Sequence, residues 1–379
     1  MNTARVAIVG GGLAGLYAAY LLEQKGCHDY AVLEARAVLG GRISSIPVAA
    51  RSSPADGAAS VAHNRFDVGP TWFWPDIQPQ LDRLVRELGL ERFSQHETGD
   101  AMFERPGDES TVRTRGYTNS PASMRLVGGM AALTDALRSH IADARIFRGH
   151  TVRRIRKLDV IEVDTVDEAG QPMTWRVDHV LLAAPPRLVE RTIEFAPALP
   201  EALARRWRAT GTWMAPHAKY VAVYETAFWR EQGLSGEARS ARGPMAEIHD
   251  ASMPGGSFGL FGFIGIPARA RGDMPQDLLK LNCRAQLVRM FGPKAAAPQA
   301  ECIKDWAFDR YTATAADIAD GRGHDAAPPA GTGSGPWAGC LTGIGSEWSP
   351  RFPGYLAGAI EAADIGVQAL LDRMSAQDE

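Results

Sequence analysis

Residues 6–42, VAIVGGGLAGLYAAYLLEQKGCHDYAVLEARAVLGGR, read in order as a strand, a glycine turn, a helix, a second strand closed by an acid, and a glycine-flanked arginine. The run from Val6 to Val9 has the length and β-branched character of a buried parallel strand, and Gly10, Gly12 and Gly15 follow it as G-x-G-x-x-G. Gly10 permits the tight turn, Gly12 lets backbone approach a pyrophosphate, and Gly15 lets the helix at 13–25 lie close on its strand. Unpaired amides at the start of that helix suit an anionic phosphate. Leu13, Leu16, Tyr17, Ala18, Tyr20, Leu21 and Leu22 make the helix apolar on most faces, which predicts that other structure encloses it.

The second strand, 30–33, ends at Glu34, 19 residues after Gly15, where a carboxylate accepts both ribose hydroxyls and disfavours a 2′-phosphate. Gly40, Gly41 and Arg42 then separate the dinucleotides. A second glycine turn brings a guanidinium toward the same phosphates, which NAD sites do not ordinarily require. The segment therefore reads as a site for the ADP half of FAD.

A chain of 379 residues exceeds one ordinary core, so two domains are expected. The net charge of −3, from 41 basic and 44 acidic residues with no basic stripe, argues against nucleic acid. Cys27, Cys283, Cys302 and Cys340 show no metal-ligand spacing, which fits a reducing cytoplasm and no bound metal. The early first strand leaves no room for a signal peptide, and no apolar run approaches the ~20 residues of a membrane span. A soluble protein is expected.

Residues 44–64 are rich in Ser, Ala and Pro and read as an excursion before FDVGPTWFWP. Ile77, Leu81, Leu84, Val85 and Leu88 fall on one helical face, closed by Gly89. Residues 99–120 read as polar and turn-rich; LVGGMAALTDALRSHI predicts a helix with Met130, Leu133, Leu137 and Ile141 inward. Strand patterns at 151–155, 160–166 and 174–180 suggest a meander that returns to the parallel sheet and stops at Pro185 and Pro186. Longer aromatic strands across 210–263 predict a second, mostly antiparallel sheet. A helix at 277–291, an extended connector at 313–336, a short strand at 340–344 and a final helix at 355–371 complete the chain.

The amino-terminal unit, VGPTWFW, LVGGMAALTDAL, HVLLAAPP, AKYVAVYETAFW and GSEWSPRFPGYLAGAIEAA occur in the order and approximate spacing of the flavin monoamine oxidase family, which the chain resembles over nearly its whole length. The resemblance implies an α/β (α+β overall) protein. Its Rossmann-like FAD domain would be built from 1–75, 125–203 and 335–379, with an inserted substrate domain from 76–124 and 204–334. It implies that Gly10, Gly12, Gly15, Glu34, Arg36, Gly41 and Arg42 hold ADP and pyrophosphate, and that Val152 offers backbone to adenine. Gly69, Pro70, Thr71 and Trp72 would pass beside the isoalloxazine, and Glu347 would lie near the ribityl or pyrophosphate region. Tyr355 and Leu356 would open a helix aimed at the flavin N1/C2 carbonyl, where a helix dipole stabilises the negative charge of reduction.

In HAKYVAVYE, alternation puts His217, Lys219, Val221, Val223 and Glu225 on one strand face. From alternation alone, an exposed lysine on a half-buried strand and a buried reactive one stand level. Trp229, ten residues on, matches the family spacing, whose lysine reaches flavin N5 through a water; the resemblance selects Lys219, with a pKa lowered by burial. Tyr355 would form one aromatic wall before the flavin. Where the family has the second wall this chain has Ala316, with Tyr311, Trp72 or Trp348 as substitutes, and the position of the family's flavin-linking cysteine holds Ala315, so FAD would be non-covalent. The membrane-anchoring tail of some members of the family is not expected, since only a short polar end, SAQDE, follows the last helix. His63, His96, His249 and His324 read as solvated loop residues rather than bases. The substrate pocket is expected near Trp72, Met102, Lys219, Phe261 and Trp306.

The reading is amine oxidation by hydride transfer to flavin N5, giving an imine, with an amine substrate and oxygen as partners and hydrogen peroxide as product. The rivals are a dehydrogenase or desaturase of the same fold using another acceptor, a non-catalytic FAD-stabilised protein, and an NAD-dependent dehydrogenase, the last disfavoured by Arg42. The particular amine and the oligomeric state are not legible.

Overall fold

The computed structural model describes residues 1–47, 64–107, 110–320 and 326–378. Most of the 44–64 excursion, with His63, and also His324, lie outside the described residues. The chain divides into two compact units: residues 1–42, 133–215 and 310–379 form one, and residues 43–132 and 216–309 the other. The division expected from sequence places 43–75 and 125–132 with the first unit, and 204–215 and 310–334 with the second.

In the first unit Val6–Val9 is the middle strand of a five-stranded parallel sheet. The order is Ile146–Arg148, Tyr30–Glu34, Val6–Val9, His179–Leu182, Leu341–Gly343. Every residue of the three central strands is buried, as expected of parallel strands covered on both faces. The first helix, Leu13–Gln24, is enclosed as its composition predicts, and it packs against the final helix, Leu356–Asp378.

The meander also forms: Thr151–Lys157, Ile161–Val166 and Pro172–Val177 pair antiparallel, and His179–Leu182 carries the chain back to the parallel sheet. Asn2–Thr3 and Glu194–Ala196 add parallel edges to it. One apolar core, including Ile155, Val163, Trp175, Val180, Trp207, Trp337 and Trp348, joins strands of both sheets.

The second unit is built on a seven-stranded sheet, in the order Ala300–Asp305, Ala218–Tyr224, Phe258–Ile264, Met245–Asp250, Leu234–Ser240, Asp100–Glu104, Thr111–Thr114. All neighbours are antiparallel except Leu234–Ser240 with Asp100–Glu104. One face carries Tyr220, Ala222, Tyr224, Ile248 and Leu260, which pack with Leu279, Cys283 and Leu287 of the helix Gln276–Phe291. The other face carries Val221, Val223 and Phe261 against Phe66 and Val68. The strand bearing Lys219 is therefore buried on both sides, not half-buried.

Four expectations need correction. Residues 99–120 hold two strands, because Ala101 and Met102 supply inward side chains that polar composition concealed. Ile77 is 52% exposed and precedes the helix Pro79–Glu87, since Pro79 sets the helix start. The connector at 313–336 contains the helix Ala315–Asp320. The final helix begins at Leu356, immediately after Tyr355, and runs to Asp378 because nothing in the polar tail breaks it.

Candidate active site

In the first unit the glycine turn takes the conformation its residues predict. Gly10 has φ +112°, a region open to glycine, and donates its N–H to Leu33 O at 2.9 Å. Gly40 N–H donates to Gly11 O at 2.9 Å, and Gly12 bridges Gly40, so the two glycine turns meet backbone to backbone. Gly12 has an ordinary φ of −78°, and a Cβ there would meet nothing nearer than Gly41 Cα at 3.7 Å. The protein's own packing has space for a side chain at Gly12. Its absence fits a ligand brought against the backbone, so the residues suit the pyrophosphate of a dinucleotide.

Glu34, 4% exposed, accepts the Gly11 N–H at 2.6 Å through Oε2 and the Arg36 N–H at 2.8 Å through Oε1. Burial pushes its pKa up against these backbone donors, which pull it down. The Arg36 guanidinium donates to Thr312 Oγ1 at 3.2 Å and lies 5.2 Å over the Tyr311 ring, whose hydroxyl is 3.2 Å from Thr151 Oγ1. Val152 pairs with Thr165, but the strand Glu194–Ala196 joins only from Arg154 onward. Arg42 makes a two-point pair with Glu347, Nη1 to Oε1 at 2.5 Å and Nη2 to Oε2 at 3.0 Å, and Nη2 also donates to Ser346 Oγ at 3.0 Å. Gly10, Gly12, Gly15, Glu34, Arg36, Gly41, Arg42, Val152, Glu347, Tyr355 and Leu356 all belong to this unit.

Gly69, Pro70, Thr71, Trp72 and Lys219 belong to the second. Lys219 is 2% exposed, and its Nζ donates to Gly69 O at 2.6 Å, Thr71 Oγ1 at 2.6 Å and Asp67 O at 3.3 Å. It also lies 4.4 Å from the Phe261 ring centre and 5.3 Å from that of Phe263. Three oxygens and two aromatic faces favour the ammonium, while burial opposes it. Burial dominates: with Asp67 pulling upward, Arg125 downward and Cys302 weakly upward, the pKa falls to about 7. Lys219 can therefore exchange a proton near neutrality.

Trp72 packs at 5.4 Å from Phe261 and 4.9 Å from His249, with its indole N–H donated to Gln95 Oε1 at 2.7 Å. His249 is not a solvated loop residue: it sits in the strand Met245–Asp250 and contacts Glu247 Oε1 at 2.8 Å. His96 is also only partly exposed; its Nε2 is buried without a partner, and burial pushes its pKa down. Trp306 donates to Val68 O at 2.9 Å, within the cluster on the Lys219 side of the sheet. Met102 packs with the opposite face. Trp229 does too, fully buried with its indole N–H on Asp250 Oδ2 at 2.9 Å. The lysine-to-tryptophan spacing is thus a mark of the strand, and Trp229 is structural.

The ring set against Tyr355 is one the sequence did not single out. Trp213 lies 4.8 Å from it at 42°. Of the proposed substitutes, Tyr311 is engaged with Arg36, Trp348 is buried against Trp207 at 5.4 Å, and Trp72 belongs to the second unit. Among the described residues no group of His, Cys, Asp and Glu could hold a metal ion, and no helix is long and apolar enough to cross a membrane.

Residues 112–371 match the flavin containing amine oxidoreductases, and residues 8–88 match an NAD(P)-binding Rossmann-like domain. The chain belongs to the flavin-containing amine oxidoreductase family. This makes it a flavoprotein oxidoreductase by family. Putrescine oxidase of Kocuria rosea is 25% identical, over 70% of this chain and 76% of its own length. A Dictyostelium discoideum protein named "Probable flavin-containing monoamine oxidase A" is 30% identical over 50% of this chain; the match spans 40% of that relative. The solved structure of cyclohexylamine oxidase from Brevibacterium oxydans superposes with a TM-score of 0.78 at 18% identity, covering 98% of this chain and 99% of that one. A putrescine oxidase structure superposes at 0.75 and 21% identity, with the same coverage. These likenesses establish the fold.

Proposed function

We propose that this protein oxidises a small amine with non-covalently held FAD and passes the electrons to oxygen. When bound, FAD supplies the hydride acceptor for the C–H beside nitrogen and the route to oxygen, giving an imine, which hydrolyses, and hydrogen peroxide. The observation that carries the reading is the pair of glycine turns meeting at Gly12, with Arg42 and Glu347 locked together beside Ser346 in the same unit. Gly12 and Gly41 admit the pyrophosphate to the backbone, Glu34 accepts the ribose hydroxyls, and Arg42 neutralises phosphate charge while Glu347 fixes its guanidinium. Arg36 and the Val152 backbone serve the adenosine end, and Gly69 to Trp72 the ring end.

Lys219 exchanges a proton during turnover, through a water, a role supported by its burial and its pKa near 7. Tyr355 seats the amine nitrogen. Ala315, where the family's linking cysteine would stand, supports free rather than tethered flavin, and the four unpaired cysteines support a cytoplasmic setting. The test is direct: purified protein should be yellow, release intact FAD into acid, bleach anaerobically with a member of an amine and amino-acid panel, and form peroxide on admission of air.

A second reading keeps the amine chemistry and replaces oxygen with another acceptor. It is favoured by a Synechocystis relative named L-amino acid dehydrogenase, 24% identical over 66% of this chain and 52% of its own length. Bleached enzyme that air does not recolour, and a quinone analogue does, would select it.

A further inference from the structure

Three ionisable side chains of the second unit lie within electrostatic reach of one another and almost wholly out of water: Lys219 is 2% exposed, Asp67 5% and Arg125 1%. Among the described residues none of the three makes a direct ion pair. The Arg125 guanidinium donates to Ala251 O and Ser252 O at 2.9 Å each and to Asp250 O at 3.5 Å, lies 5.0 Å over the Phe93 ring, and keeps its Nε buried with no partner. Asp67 Oδ1 accepts the Ser45 hydroxyl at 2.5 Å and the Met130 N–H at 2.8 Å, while Oδ2 is buried with no partner. One anion and two cations therefore share dry ground, with one positive charge in excess.

The fold fixes these positions. The strand Met124–Leu126 carries Arg125, and the turn after it brings the Met130 N–H to Asp67. Gly129 in that turn has φ +74°, and a Cβ there would come to 2.7 Å from Asp67 Oδ1, so the turn and the contact both require glycine. Asp67 closes the strand Arg65–Asp67, and its own carbonyl is one of the oxygens that receive Lys219.

The other charges on this side of the sheet are answered elsewhere. Lys304, opposite Lys219, pairs with Asp309 at 2.8 Å. Glu247, opposite Phe263, contacts His249 at 2.8 Å and Arg239 at 3.3 Å. The Asp250 carboxylate accepts Arg230 at 2.8 Å and Trp229 at 2.9 Å. Burial pushes the Cys302 thiol up to about 11, so it is neutral, and His217, two residues before Lys219, is partly exposed. A guanidinium does not release its proton in a protein, so of the two enclosed cations only Lys219 can relieve the excess.

We infer that Arg125 and Asp67 are the charge couple that sets the protonation of Lys219: Arg125 balances the Asp67 carboxylate, which leaves Lys219 the odd cation and frees its amine to take up a proton. Arg125 is thus a positioning residue that acts through Lys219. The inference rests on the amine-oxidation reading for what that proton serves. The signs agree: burial is the largest influence on Lys219, and beneath it Asp67 pulls its pKa up while Arg125 pushes it down. Burial pushes the Asp67 carboxyl up, and Ser45, Arg125 and Lys219 draw it down.

The test follows isotope-labelled lysine side chains by NMR across pH in flavin-loaded protein. The Lys219 signal is the one missing from Lys219→Met, and Lys25, Lys157, Lys280, Lys294 and Lys304 are all at least partly exposed. Arg125→Met should raise the Lys219 midpoint by about one pH unit, and Arg125→Lys, which keeps the charge, should hold it within about half a unit of the parent. Asp67→Asn, whose amide oxygen still accepts both donors, should lower it by about one unit. The pH dependence of anaerobic flavin reduction should shift with each midpoint, so that near pH 7 Arg125→Met is reduced about 5-fold more slowly. Where Arg125→Met does not fold, Arg125→Gln takes its place. A midpoint unmoved in either charge-removing variant, shifts of both in one direction, or Arg125→Lys behaving like Arg125→Met would overturn the couple. The stated shifts in a protein that no amine reduces would leave the couple standing and remove amine oxidation. Reduction by an amine with the midpoints unmoved would remove the couple alone.

Discussion

Arg42 and Glu347 stand 305 residues apart in sequence and face each other through two parallel hydrogen bonds. The Glu347 side chain is 3% exposed and that of Arg42 28%, so the acid is buried and the base reaches outward from it. This fixed fork is suited to phosphate, and it joins the amino-terminal cradle to the segment that leads into the final helix.

Arg42→Ala should therefore act twice. It removes a phosphate donor and leaves a buried carboxylate without its partner, costing roughly 3 kcal/mol of stability. Urea unfolding of the apoprotein reads the second effect and FAD titration the first; Glu347→Gln should be milder in both. An unchanged FAD affinity in Arg42→Ala would remove the phosphate role.

Gly12→Ala separates ligand fit from folding. The ordinary φ and the 3.7 Å clearance to Gly41 Cα predict a stable apoprotein, raised by about 0.4–1 kcal/mol through the stiffer unfolded chain. FAD affinity should nevertheless fall by an order of magnitude or more, because the new methyl occupies the pyrophosphate approach. Equilibrium dialysis beside thermal unfolding distinguishes the two, and retained affinity would place the phosphates elsewhere.

Lys219 should impose a limb on the pH profile of anaerobic flavin reduction. The neutral amine accepts the proton, so the rate should rise through pH about 7 and lose that limb in Lys219→Met, while the limb from the substrate's own ionisation moves with the substrate. Stability carries the same sign. Because burial holds the folded pKa below the unfolded value of 10.5, the unfolded chain binds the extra proton between about 7 and 10.5. Stability therefore climbs as pH rises across that window, and Lys219→Met should flatten the climb. Stability that falls with pH in the parent and not in the variant would contradict the assignment.

Trp229→Phe should leave the reduction rate within about 2-fold while lowering stability by about 1–2 kcal/mol, since Asp250 loses one of its buried donors and keeps Arg230. Stopped-flow reduction with denaturant unfolding checks both halves. A large rate loss at normal stability would return Trp229 to the site.

Local pattern carried much of this. The strand Val6–Val9, the enclosed helix, the acid at Glu34 and the meander were legible because each depends on residue type at fixed short spacing: period, glycine turns, and buried runs. Strands 100–104 and 111–114 were not, because they pair at the edge of a sheet that sequence-distant strands complete. Alternation placed Lys219 with Val221 and Val223 correctly, yet could not say whether that face met water.

That question belonged to long-range packing. Phe66 and Val68 cover the Lys219 face, and Gly69 and Thr71 supply the oxygens around Nζ, from positions about 150 residues away. The same holds for Trp213, which no motif marks: its place beside Tyr355 depends on Asp317, which is buried against Arg187 and accepts the Thr212 N–H, and on Gly354, where a Cβ would meet that of Trp213 at 3.0 Å. Glycine turns and periodic faces are properties of a few adjacent residues, so the chain announces them directly. A buried charge or a ring pair depends on which distant segments exclude water from it, and only the folded packing settles that.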